Sequence, residues 1–78
     1  MSGERLIKLA RLQPGEPYEE VRYLLVTADP DTEGFYLKLH ASMDQAPIAE
    51  YWFATWEKID MQARALFGAR FEEWQEPS

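Results

Sequence analysis

The aromatic residues of this chain are gathered at the point where its hydrophobic period changes. Seven of the eleven lie between Tyr51 and Trp74, and all three tryptophans are among them. Four stand together in Tyr51-Trp52-Phe53-Ala54-Thr55-Trp56. Ahead of this block the apolar residues alternate as in strands, and beyond it they recur at helical spacing. How the block itself is read therefore decides the fold.

The segments before it predict three strands. Arg5 to Leu12 alternates imperfectly. As a strand it places Ile7 and Leu9 on one face and Leu6, Lys8, Ala10 and Leu12 on the other. As a helix it would carry a basic stripe of Arg5, Lys8 and Arg11. No cap precedes it and Pro14-Gly15 ends it, which favours the strand. Gln13 to Pro17 then reads as a loop. Val21 to Ala28 is rich in β-branched and aromatic residues, apolar on both faces as in an inner strand. Asp29-Pro30-Asp31-Thr32-Glu33-Gly34 has the chemistry of a hairpin turn: Asp to cap, Pro to fix φ, Gly to take positive φ. After it, Phe35, Leu37 and Leu39 are expected to face the core, and Tyr36, Lys38 and His40 to face away.

Two readings compete beyond the loop at Ser42 to Pro47. One long helix from Gln45 to Phe67 would align Ile48, Trp52, Trp56, Ile59, Ala63, Leu66 and Phe67, with Asp44 as cap and Met43 stapled on Ile48. Alternatively Ile48 to Phe53 is a fourth strand, and Thr55 caps a helix from Trp56. Tyr-Trp-Phe is strand-like, and Thr55 followed by Glu57 supplies a capping oxygen and a first-turn acid. In that reading the helix buries Trp56, Ile59, Ala63, Leu66 and Phe67, pairs Asp60 with Arg64 outside, and stops at Gly68. Residues 70–76 read as either a helical turn or an edge strand, and only the helix would put Phe71 and Trp74 on one face.

The run Glu50-x-Trp52-Phe53-x-Thr55-x-Glu57, followed by Gln62-Ala63, Phe67-Gly68 and Trp74, resembles a family of small uncharacterised bacterial proteins. In that family an acidic-aromatic strand leads through Ser or Thr into a helix, which closes at Phe/Tyr-Gly ahead of a later Trp. The resemblance covers residues 50–74 and concerns structure, with no activity to carry over. This chain departs from the family pattern at Trp56, where leucine is usual, and at Lys58, where an acid is. The resemblance implies the strand reading. The expected fold is thus α+β: an antiparallel sheet of about four strands (near 5–12, 20–28, 34–41 and 48–53) with one helix (about 56–67) on one face.

Seventy-eight residues are enough for one domain, 1–78, with fraying expected at 1–3 and 77–78. A net charge of −6, from 14 acids against 8 bases, argues against a nucleic-acid partner, whose phosphates call for Lys and Arg. No stretch approaches the roughly 18–20 apolar residues of a membrane span. The absence of cysteine and of a signal-like start makes the cytoplasm the expected compartment.

Candidate chemistry is sparse. Asp29-x-Asp31-x-Glu33-Gly34 opens like a calcium loop, but position 12 is His40 rather than Glu and strands flank it. His40 is the single histidine, expected on an exposed strand face with no cysteine nucleophile beside it. Glu19-Glu20 and Glu72-Glu73 are adjacent pairs, which extended backbone turns to opposite faces. The expectation is therefore no enzyme, no cofactor and no metal. A single helix covers one face of a four-stranded sheet, so some rings are left for a partner. The candidate contact residues are Tyr51, Trp52, Phe53, Tyr36 and His40, binding a protein or a second copy of the chain. The alternative is a small-molecule binder, with its ligand between sheet and helix near Trp52, Trp56 and His40.

Overall fold

A computed structural model describes residues 3–15 and 18–77. The ends Met1, Ser2 and Ser78, and the loop positions Glu16 and Pro17, lie outside the described residues. The elements are β1 (Arg5–Arg11), β2 (Tyr23–Ala28), β3 (Phe35–His40), β4 (Ala49–Phe53) and α1 (Trp56–Phe67), with a 3₁₀ turn over Gly68–Arg70. The strands form one sheet in the order β1-β2-β3-β4, every neighbouring pair antiparallel. This is the α+β fold expected.

Local chemistry sets the boundaries. Between β2 and β3 the Asp29 side chain accepts the Asp31 N–H at 2.9 Å, its carbonyl accepts the Thr32 N–H at 3.0 Å, and Gly34 takes φ 89°. Thr55 is extended, at φ −136° and ψ 157°, and its Oγ1 accepts the Lys58 N–H at 3.3 Å. An extended residue at that point rules out one helix running from Gln45 to Phe67. Gly68 ends α1 at φ 52°, donating its N–H to the Arg64 carbonyl.

Helix and sheet meet through two rows of side chains fixed by the register. One row runs Ala10–Leu24–Leu39–Ala49 and the other Lys8–Val26–Leu37–Tyr51. Leu24, Val26 and Leu37 are fully buried, as are Ile59 and Ala63 from α1. Each large aliphatic side chain among them contributes roughly 1.5–3 kcal/mol by leaving water. The opposite rows, including Leu25–Lys38 and Thr27–Tyr36, lie on the face that α1 does not cover.

Strand β1 corrects the simple alternation expected of it. Its register shifts between Leu6 and Lys8, so that Leu6 pairs with Thr27 and Lys8 with Val26. One extra residue at a bulge exchanges the faces of the positions beyond it. Leu6 therefore shares the open face with Leu9, whereas Ile7 packs against the core beside Ala10 and Leu12.

The last residues also depart from both expectations. After the 3₁₀ turn the chain runs back along the outer edge of β1, bridging it at Leu12–Phe71 and Leu9–Gln75. Leu9 and Gln75 exchange backbone hydrogen bonds of 2.9 and 2.8 Å. No ladder forms between the two bridges, and the irregular backbone there brings Phe71 and Trp74 together without a helix, ring centroids 5.1 Å apart.

Candidate functional site

Strand alternation divides the aromatic block between the two faces. Tyr51 and Phe53 fall on the α1 side, opposite Leu37 and Phe35, while Trp52 falls on the open side, opposite Tyr36. Trp56, at the start of α1, turns away from all three. Its ring meets Trp74 at 5.1 Å edge-to-face, and the Lys8 ammonium lies 5.9 Å from its centroid. The Trp74 indole N–H donates to Asp60 Oδ1 at 3.0 Å, and Asp60 also accepts from Arg64 at 3.2 Å. Trp56 and Trp74 are thus a structural pair that fastens the C-terminal segment to the helix.

Trp52 remains 51% exposed and yet is held in place. Its indole N–H donates to the Glu33 carbonyl at 2.8 Å, and the ring lies over Gly34. A Cβ on Gly34 would stand 2.6 Å from the Phe53 carbonyl oxygen and 2.7 Å from Trp52 Nε1. The glycine therefore serves two ends, the positive φ of the turn and the seat of the tryptophan.

Tyr51 is 50% exposed although it faces the helix side, because the space between it and α1 is not filled by side chains. Between α1 and β4 runs an open cleft of about 170 Å³, lined by Tyr18, Leu37, Tyr51, Phe53, Gln62 and Leu66. The expected ligand position near Trp52, Trp56 and His40 is corrected by this geometry. Trp52 and His40 are on the open face, and Trp56 is on the other. Tyr36, the partner of Trp52, stands four strand positions from His40, roughly 13 Å along β3.

The expectation for His40 is also corrected. It faces away from α1, as alternation requires, but is 7% exposed rather than open to solvent. The turn after β3 folds back over it, and its Nδ1–H donates to the Gln45 carbonyl at 3.1 Å. The other ring nitrogen, Nε2, is buried with no partner among the described residues. Closure of the loop was not visible in the sequence, because Ser42 to Pro47 carries turn chemistry without a signal of direction. Tyr36 is half-buried, next to a Lys38–Glu4 ion pair that screens the middle of the open face.

What the block leaves most accessible is the outer edge of β4. The Leu39 carbonyl, on the β4 side of β3, accepts the Ile48 N–H at 2.7 Å. Alternation along the antiparallel ladder then directs Leu37 and Phe35 to Tyr51 and Phe53. The N–H and C=O groups of Glu50 and Trp52 are left turned outward. Among the described residues no segment pairs with that edge. Ile48, just ahead of the strand, and Met43, in the preceding loop, are 48% and 47% exposed. Half-exposed rings and unpaired backbone thus coincide on β4, a feature that an edge-strand argument could have found once β4 was placed last in the sheet.

Among the described residues, no three His, Cys, Asp or Glu side chains converge in a way that would hold a metal ion, and no helix is long and apolar enough to cross a membrane. Asp29 spends its side chain on the turn itself. Compared with known proteins, the chain matches no family model, no curated protein and no solved structure.

Proposed function

We propose that this is an interaction domain whose working surface is the β4 side, with Trp52 and Tyr51 as its anchors and a protein as its partner. The observation that carries the reading is the coincidence on one strand of two half-exposed large rings with outward backbone groups. Aromatic anchors dominate protein contacts because a ring that is already held loses little entropy on binding. Trp52 meets that condition through its bond to Glu33. Tyr36 contributes beside it as the neighbour of Trp52, and Phe53 backs Tyr51 from the cleft. His40 drops to a supporting role, holding the loop that leads into β4.

A photo-reactive amino acid placed at Trp52, and separately at Met61, tests the proposal in the cell that makes the protein. Met61 is 69% exposed on the far side of α1 and serves as the control for mere accessibility. The proposal expects discrete cross-linked species from position 52 and none from 61. Equal, diffuse labelling from both positions would sink it.

The cleft beside Tyr51 supports a second reading, a small-molecule site. At about 170 Å³ it falls short of the roughly 300 Å³ at which ligand pockets begin. A melting-temperature rise with a metabolite, abolished by Leu66→Trp, would favour this reading over the first.

A further inference from the structure

We infer that the partner of the β4 edge is a second copy of this chain, joined strand to strand about a two-fold axis at Tyr51 to give one continuous eight-stranded sheet. The inference rests on the interaction-domain reading and names its partner. An edge with outward N–H and C=O groups is a ready template for another extended strand. The question is which strand fits, and the spacing of the outward groups on β4 answers it.

Only Glu50 and Trp52 turn their backbone groups outward, so an antiparallel copy must use those two as its hydrogen-bonded positions. Three two-fold registers are available. Placing Glu50 against Glu50 of the copy sets like charges directly opposite and brings Trp52 against Ile48, whose N–H is already given to Leu39. Placing Trp52 against Trp52 carries Glu50 past the end of β4, which closes at Phe53. The third register sets Glu50 against Trp52 and Trp52 against Glu50. It satisfies all four outward groups of each chain and separates the carboxylates. It also places Ala49 opposite Phe53, small against large, and Tyr51 opposite Tyr51 at the centre. Opposed residues share a face, so both helices lie on one side of the joined sheet. The two half-exposed tyrosines cover each other there.

The net charge of −6 per chain opposes the approach of two copies. Association is therefore expected to tighten as salt screens the repulsion, the reverse of an interface built on opposite charges.

Sedimentation equilibrium gives the first reading, with a reversible dimer expected in the micromolar range and tighter at high salt. The second uses the absence of native cysteine. In the proposed register Tyr51→Cys brings two sulfurs together across a non-hydrogen-bonded pair with Cα atoms about 4.5 Å apart, within disulfide reach. It should cross-link under mild oxidation, whereas Ala49→Cys should not. Glu50→Pro removes one outward N–H without touching the β3 ladder, and should weaken the dimer at least about tenfold, the size expected for lost backbone bonds, while circular dichroism is unchanged. A wild-type monomer up to about 1 mM overturns the inference whatever the variants do. So does cross-linking of Ala49→Cys as fast as Tyr51→Cys. A monomer that still cross-links from position 52 to a different protein removes the self-pairing and leaves the wider reading standing; loss of both removes both.

Discussion

The two outer strands of the sheet meet solvent differently. Along β1 the chain comes back on itself: Phe71 and Gln75 bridge Leu12 and Leu9, and Trp74 is bound to Asp60 and packed on Trp56. Along β4 nothing returns among the described residues, and Tyr51 and Trp52 stay half-exposed. Both edges are aromatic. At one, the rings hold the molecule's own backbone in place; at the other, equivalent rings flank unpaired backbone. Ring content alone therefore does not mark an interaction surface. What marks it is whether the backbone beside the rings has already found its hydrogen bonds.

Substitutions at the two edges should separate these roles. Trp74→Ala is expected to cost the most, about 3 kcal/mol, since it removes the Trp56 contact and unfastens the segment that covers β1. Urea unfolding measures it, and a loss under about 1 kcal/mol would mean that the β1 edge is not held by this ring. Gly34→Ala forces a side chain into positive φ and against Trp52, at about 1–3 kcal/mol. Its signature is a shift in Trp52 emission as the indole leaves Glu33; unchanged emission would show that Trp52 is not seated on the turn. Asp60→Ala should lose about 1 kcal/mol with the Trp74 bond, and Asp60→Asn should keep most of it, because an amide oxygen still accepts from the indole. Equal losses in the two variants would assign the effect to charge instead. Smallest is Tyr51→Ser, expected within about 0.5 kcal/mol of wild type in the isolated chain. Should it match Trp74→Ala, the two edges would not differ in kind.

Much of this architecture was legible in the residues. Thr55 with Glu57, Gly34 after its acidic turn, and Gly68 after Phe67 each state a boundary in local chemistry, and the helix begins and ends where they put it. The faces of β3 followed from alternation. What stayed hidden depended on contacts between distant segments. The β1 bulge, which moves Leu6 to the face of Leu9, is fixed by pairing with β2. Burial of His40 depends on the path of a loop whose residues suit many directions. The candidate site divided in the same manner: periodicity separates Trp52 from Tyr51 and Phe53, but the open cleft beside Tyr51 depends on how α1 packs. No short-range pattern tells where a helix axis will lie on a sheet.

The seal on β1 has a consequence in time. Strands β1 to β4 follow one another as neighbours, each joined to the one before by a connection far shorter than the chain. The seal instead joins opposite ends of the chain: the Lys8–Glu76 ion pair beside it spans 68 positions. Loops of that length close late, after the local pairings have formed. For an interval during folding, then, the sheet carries two bare borders rather than one, and crowding at that stage would favour stacking of immature chains along β1. Residues 71–76 thus set how long the sheet stands with two open strand edges instead of one.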